Sequence, residues 1–205
     1  MGFGWTLLGY FFVATVSMTS LALRSPLTIG ILVGYPMMIF GLYLLAHYHR
    51  YFRVAFFSSF LSLPFTVYYA LQAIGQFGLS VPAIFGADTW QSVEWGHFAF
   101  LTVLTALILI GVAELCREVG LERHRANAWR DILLFGIATV LELVARLPFQ
   151  FITENQGYFT TPALLMRLAV VCLNIHLLFS CFRDICSEEE KLVDSNKKRG
   201  KEKKQ

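Results

Sequence analysis

Long apolar runs separated by short blocks of charge organise this chain. Six of them, residues 3–23, 26–46, 54–75, 89–115, 132–152 and 162–182, are each long enough to cross a hydrocarbon core of about 30 Å, which takes about 20 residues of α-helix. The pattern predicts an all-α, polytopic integral membrane protein: a six-helix transmembrane bundle over residues 1–183, followed by a disordered, charged cytoplasmic tail over 184–205. Three runs carry start signals. Ser25-Pro26 and Thr161-Pro162 each place a capping hydroxyl before a proline suited to the first helical turn, and Asp88 with Gln91 forms a capping-box pattern. The N-terminal MGFGWTLLGYFF has no basic segment or small-residue cleavage site and reads as the first membrane helix.

The distribution of basic residues orients the bundle. With both termini in the cytoplasm, fourteen of the seventeen Lys and Arg side chains fall on the inside, leaving Arg24, Arg146 and Arg167 elsewhere. The two long outer connections, 76–88 and 153–161, contain none. The opposite orientation puts those fourteen outside, so the expected topology has the N- and C-termini inside and the host membrane is the cell membrane.

Composition agrees: 56% of residues are hydrophobic and the mean hydropathy is +0.58. Charge is sparse through the first 182 residues and dense after them, which leaves no room for a second, soluble domain. The first outer connection, GLSVPAIFGADTWQ, is apolar enough to rest in the headgroup region. The inner segment CREVGLERHRANAWRD is basic, carries Trp129, and suits a helix lying on anionic lipid. In the second run Gly30, Gly34 and Gly41 share a face, so Gly30-x-x-x-Gly34 is a candidate close helix contact. Ser58 and Ser62 precede Pro64 and are placed to satisfy carbonyls that the proline frees.

Candidate chemistry is thin. The four cysteines, Cys116, Cys172, Cys181 and Cys186, form no CxxC and read as packing residues. His47, His49, His97, His124 and His176 show no ligand spacing with Asp, Glu or Cys, and His97 and His176 sit in opposite halves of the membrane, so neither a metal nor a haem is expected. No cofactor follows. Glu142-x-x-x-Arg146 is half of the EExxxR signature of glutamate-type CAAX-processing proteases, yet Leu141 stands where the second Glu belongs and the later FxxxH and HxxxN elements are missing. No family and no enzyme activity are inferred.

What remains is charge inside the membrane. A charged side chain near the centre of a membrane helix costs roughly 2.5–3.5 kcal/mol, so it needs a partner or a function. Glu142 and Arg146 are four apart on one helix face with the acid first, the better orientation for a pair. At about 1.5 Å per residue back from Ile152, Arg146 lies roughly 9 Å and Glu142 roughly 15 Å inside the outer boundary, and Arg167 about 8 Å inside it counted from Pro162. Asn174, two turns after Arg167, extends the polar face inward.

Two functions fit this layer. One is a transporter or ligand-binding subunit in which Glu142, Arg146, Arg167 and Asn174 bind an anionic or zwitterionic small molecule from the outside. The other is a structural or regulatory subunit in which Glu142 and Arg146 lock helices together while Arg167 snorkels to the headgroups. Expected partners are the bilayer, a small-molecule ligand, and a partner protein or second copy of the chain, but not nucleic acid. Opposite topology of the two three-helix halves, with Ser-Pro and Thr-Pro starts in each, would suit inverted repeats.

Overall fold

Residues 2–23, 28–76, 87–147 and 149–202 are described by a computed structural model, with side chains for all of these except 16–23, 28–29, 72–73, 75–76, 87–91, 150, 153 and 185–202. The described residues form helices and the turns that join them, with no strand among them: α1 (Gly2–Leu23), α2 (Thr28–Leu45), α3 (Arg50–Ser59), α4 (Ser62–Gln76), α5 (Ala87–Val119), α6 (Glu122–Arg146), α7 (Gln150–Glu154) and α8 (Gln156–Glu202). Among the described residues three stretches are long and apolar enough to cross a membrane: Arg50–Leu71 through α3 and α4, Ser92–Val119 in α5, and Gln156–Asp184 in α8. Gly2–Thr15 and Gly30–Leu45 are shorter apolar helices. The Ser25-Pro26 start and the 77–86 connection lie outside the described residues, as do the side chains of the Asp88–Gln91 capping pattern.

Several expected boundaries move, each for a local reason. The fifth run does not continue to Ile152. Proline disfavours the helical conformation in the residue before it, so Leu147 turns extended at φ −66°, ψ 136° and α6 ends at Arg146. The chain resumes after Pro148 as the single turn of α7. At its other end α6 absorbs the basic segment expected to lie on the membrane surface, because no breaker stands between Glu122 and Arg146 and the helix runs through without interruption. Gly120 makes this corner. Its φ of +78° is one that only glycine adopts at no cost, and it carries the paired bonds that close a helix C-terminus: Gly120 N–H to Arg117 O at 3.3 Å and Leu121 N–H to Cys116 O at 2.8 Å.

The third run bends at Phe60–Leu61, where i→i+3 bonds such as Leu63 N–H to Phe60 O (3.1 Å) replace the α pattern next to Pro64. The hydroxyls that serve this bend are not the expected pair. Ser59 Oγ donates to Phe56 O (2.6 Å) and Thr66 Oγ1 to Ser62 O (2.9 Å), whereas Ser62 Oγ is buried with no partner. Thr161-Pro162 does not begin α8 either. The helix starts at Gln156, directly after the turn at Asn155, and Pro162 lies within it. Inverted repeats thereby lose the support of recurring Ser-Pro and Thr-Pro starts. Beyond Asp184 the backbone of α8 continues to Glu202.

Packing closes into a ring. α1 lies against α2 and α8, α8 against α6, α6 against α5, α5 against α3, and α3 with α4 against α2. The tightest pairing is α1 with α2, and its cause is glycine. A Cβ at Gly9 would stand 2.5 Å from Met38 N and 2.6 Å from Gly34 O, and one at Gly34 would stand 3.0 Å from Gly9 O. At the other end Gly41 faces the Thr6 backbone and hydroxyl, with Gly2 O at 2.9 Å. The close contact therefore uses Gly34 and Gly41, seven apart, against Gly2 and Gly9, also seven apart, so backbone meets backbone over two full turns. Tyr35, Leu101, Leu104, Ile108 and Phe52 fill the interior that the ring encloses.

Candidate ligand site: a buried charge layer

Between α6 and α8 the faces that meet are not purely apolar. α6 buries Asp131, Phe135, Ala138, Glu142 and Ala145, and α8 buries Ala163, Arg167, Val170, Asn174 and Leu178. Asp131 and Glu142 are eleven residues apart, which is three helical turns and brings them onto one face. Thr160, Arg167 and Asn174 are spaced by seven and share a face of α8 in the same way.

The structure brings Glu142, Arg146 and Arg167 together. Glu142 is 1% exposed; its Oε1 accepts from Arg146 Nη2 at 2.8 Å, and its Oε2 lies 3.8 Å from Arg167 Nε. The two arginines are held differently. Arg146 is the last residue of α6, where a cation is favoured by the helix dipole, and its guanidinium stacks over the Phe98 ring of α5 at 5.1 Å. Arg167 comes from α8, is only 2% exposed, and stacks over Phe135 of α6 at 5.1 Å. It does not snorkel. The expected escape of this side chain to the headgroups is overturned, because the guanidinium points across the seam to Glu142 and not out of the protein.

Asn174 enters by another route. It is 1% exposed and its Nδ2 donates to the Tyr10 hydroxyl of α1 at 2.8 Å, tying α8 to the third wall of the seam. Asp131, 1% exposed, is bonded through Oδ1 to its exposed neighbour Arg130 at 2.9 Å.

The layer is not saturated with hydrogen bonds. Glu142 Oε2, Arg146 Nε, Arg167 Nε and Nη1, Asn174 Oδ1, Asp131 Oδ2 and Thr160 Oγ1 are buried and make none within the chain. A buried polar atom left without a partner costs about 1–3 kcal/mol, and more if charged, so native proteins almost always satisfy such atoms. Seven such atoms are spread along this one seam, and the chain alone does not partner them.

Beside this layer lies a second polar group that sequence reasoning did not connect to it. His97 of α5 is buried with Nε2 2.6 Å from the Tyr35 hydroxyl of α2 and Nδ1 3.5 Å from the Tyr69 hydroxyl of α4, and its chain neighbour Phe98 carries the Arg146 guanidinium. Asp131 and Tyr10 were likewise missed. Asp131 sits where a charged block meets an apolar run and so resembles an interfacial residue. Its eleven-residue spacing to Glu142 was the available signal. Other groups stay apart from the seam: His124 Nε2 meets Asp184 Oδ2 at 2.7 Å, and the thiols of Cys116 and Cys181 face each other unbridged at 3.7 Å. Among the described residues no three His, Cys, Asp or Glu side chains gather as metal ligands would. A surface cleft of about 520 Å³ at the α7–α8 junction is lined by Glu154, Asn155, Gly157, Tyr158, Thr161 and Pro162, on a different face of α8 from Arg167.

Comparison with known proteins adds no assignment to this geometry: no protein family matches the chain, and neither does any curated protein or solved structure.

Proposed function

We propose that this is a multi-pass protein of the cell membrane whose six apolar segments cross the bilayer with both termini inside, and that its charge layer binds a small anionic or zwitterionic molecule for transport or ligand sensing. Arg167 carries the reading. It is a permanent cation, withdrawn from solvent, whose Nε and Nη1 donate to nothing in the chain, and the carboxylate near it is already engaged by Arg146. A charge kept at such cost inside a membrane protein marks a ligand or ion pathway by default. Arg146 and Glu142 stand beside it, and Asn174 lies two turns along the same face of α8.

The alternative is a non-transporting structural or regulatory subunit, and the Arg167–Glu142 contact between α8 and α6 is what favours it. That contact is its only cross-helix ion pair in the layer among the described residues. Glu142 and Arg146 both belong to α6, so their shorter bond joins nothing to anything else.

Ligand-induced thermal stabilisation separates the two. A small anion present at about 100 times its Kd should stabilise the purified protein by about 2.7 kcal/mol. Arg167→Ala should remove that response while leaving the ligand-free protein about as stable as before, since Glu142 keeps Arg146. If Arg167→Ala abolishes folding, the arginine is structural and the subunit reading replaces this one. Topology is tested independently by cysteine accessibility in intact cells: an impermeant thiol reagent should label Asn155→Cys and spare Gly200→Cys, and the reverse result would end the termini-inside arrangement.

A further inference from the structure

We propose that Cys116 and Cys181 form a modification site: a dithiol that a small hydroperoxide converts to an internal disulfide, joining α5 to α8 beside the Gly120 corner. The two sulfurs face each other at 3.7 Å, both residues are fully buried, and they lie on different helices 65 positions apart in the chain. Closing to a bond length of about 2.05 Å is a displacement on the scale that rotation of two cysteine side chains provides. Cys172, by contrast, is exposed on α8, and the side chain of Cys186 lies outside the described residues.

The first turn of α6 holds this pair in register. Leu121 N–H donates to Cys116 O at 2.8 Å, and three residues on, His124 Nε2 meets Asp184 Oδ2 at 2.7 Å, one turn beyond Cys181. Both helices are thus tied to one turn of a third, and the thiols are in contact before any oxidant arrives. Proximity of this kind decides the chemical outcome. One sulfur attacks a peroxide oxygen; the O–O bond breaks, hydroxide leaves and takes up the thiol proton as water, and a sulfenic acid remains. The second sulfur then attacks the first, the S–O bond breaks, and the second thiol proton departs with the hydroxyl as another water. Two thiols and one hydrogen peroxide become one disulfide and two waters, the two electrons passing from sulfur to peroxide. Further oxidation to sulfinic acid needs a second peroxide to reach a buried sulfur, so condensation with the waiting thiol outruns it. Burial slows the first step, since the oxidant enters only when the packing around the corner opens locally. In the topology proposed above this corner is cytoplasmic, where thiol pools keep such a pair reduced, so the disulfide is a response to oxidative load. The link restricts the unfolded chain over the whole loop between the two cysteines and therefore stabilises the fold.

The test treats the full-length protein in detergent with hydrogen peroxide and, in parallel, with iodine, an apolar two-electron oxidant that enters protein interiors more readily. Free thiols are alkylated after denaturation, and proteolytic fragments are weighed with and without reductant. The expected result is a reductant-sensitive link within single chains between the Cys116 and Cys181 fragments, two hydrogens lighter than the separate thiols. The oxidised protein should unfold several degrees higher than the reduced one. Cys181→Ala should lose both the link and the rise, while the fragment masses of the unaltered chain decide the proposal even if that variant folds poorly. Recovery of Cys116 and Cys181 as free thiols after both oxidants, sulfinic acid at either, or links that run only to Cys172, to Cys186 or between chains would overturn it.

Discussion

Glu142→Gln is expected to be the most damaging conservative substitution in the chain, lowering the free energy of unfolding by about 3–5 kcal/mol, the range for breaking a buried ion pair by removing one partner. The change is nearly isosteric, so the loss is electrostatic. The amide oxygen would still accept a hydrogen bond, but Arg146 and Arg167 would face each other across it with no negative charge between them. Exchanging the two residues, Glu142→Arg with Arg146→Glu, tests where the energy resides. If the pair within α6 were what mattered, the exchange would restore most of the stability, because the i,i+4 spacing is retained. The 3.8 Å contact from Arg167 predicts the opposite: the exchange places a guanidinium at position 142 directly against the one from α8, and stability should not recover. Reversible unfolding in mixed micelles measures both. A loss below about 1 kcal/mol for Glu142→Gln, or recovery in the exchange, would show that Arg167 does not feel Glu142.

The second large effect is expected at the α1–α2 contact. Gly9→Ala and Gly41→Ala each insert a methyl group against backbone atoms of the opposite helix, which cannot rotate aside. Overpacking of this kind costs about 1–3 kcal/mol, and here it exceeds the gain of about 1 kcal/mol that alanine brings to a helix. Larger side chains should separate the helices outright. Gly4 and Gly136 provide the control, since each lies in a helix and a methyl group added there would have nothing within 4 Å. Alanine at either should leave stability unchanged or raise it by up to about 1 kcal/mol. Thermal unfolding of the four single variants decides the matter, and equal behaviour of the two sets would mean that α1 and α2 are not held at backbone contact.

Both predictions combine something local with something that is not. That Glu142 and Arg146 pair could be read from a spacing of four, and that Arg167 stands at their level from counting residues along two helices. That Arg167 crosses the seam could not be read, since counting gives height and not direction. The same limit explains the glycines. Gly34 and Gly41 were visible as one face of the second run, but their partners Gly2 and Gly9 lie in a different part of the chain, and choosing among six runs requires the packed fold.

The sequence by itself determined the helical character of the chain, the apolar segments that build it and the pairing of Glu142 with Arg146, because segment length, hydropathy and i,i+4 spacing depend on neighbours in the chain. Turn chemistry was local too: Gly120 and Pro148 end α5 and α6 by their own backbone restrictions, at Pro148 even though the apolar pattern runs past it. Only the tertiary structure decided which side chains meet in the buried polar layer. Asp131, Tyr10 and His97 are buried, and Arg167 is left with unpaired donors, because of what α1, α2, α5 and α8 place opposite them. Burial and hydrogen bonding across helices are properties of pairs distant in sequence, so they arise only when the ring of helices closes.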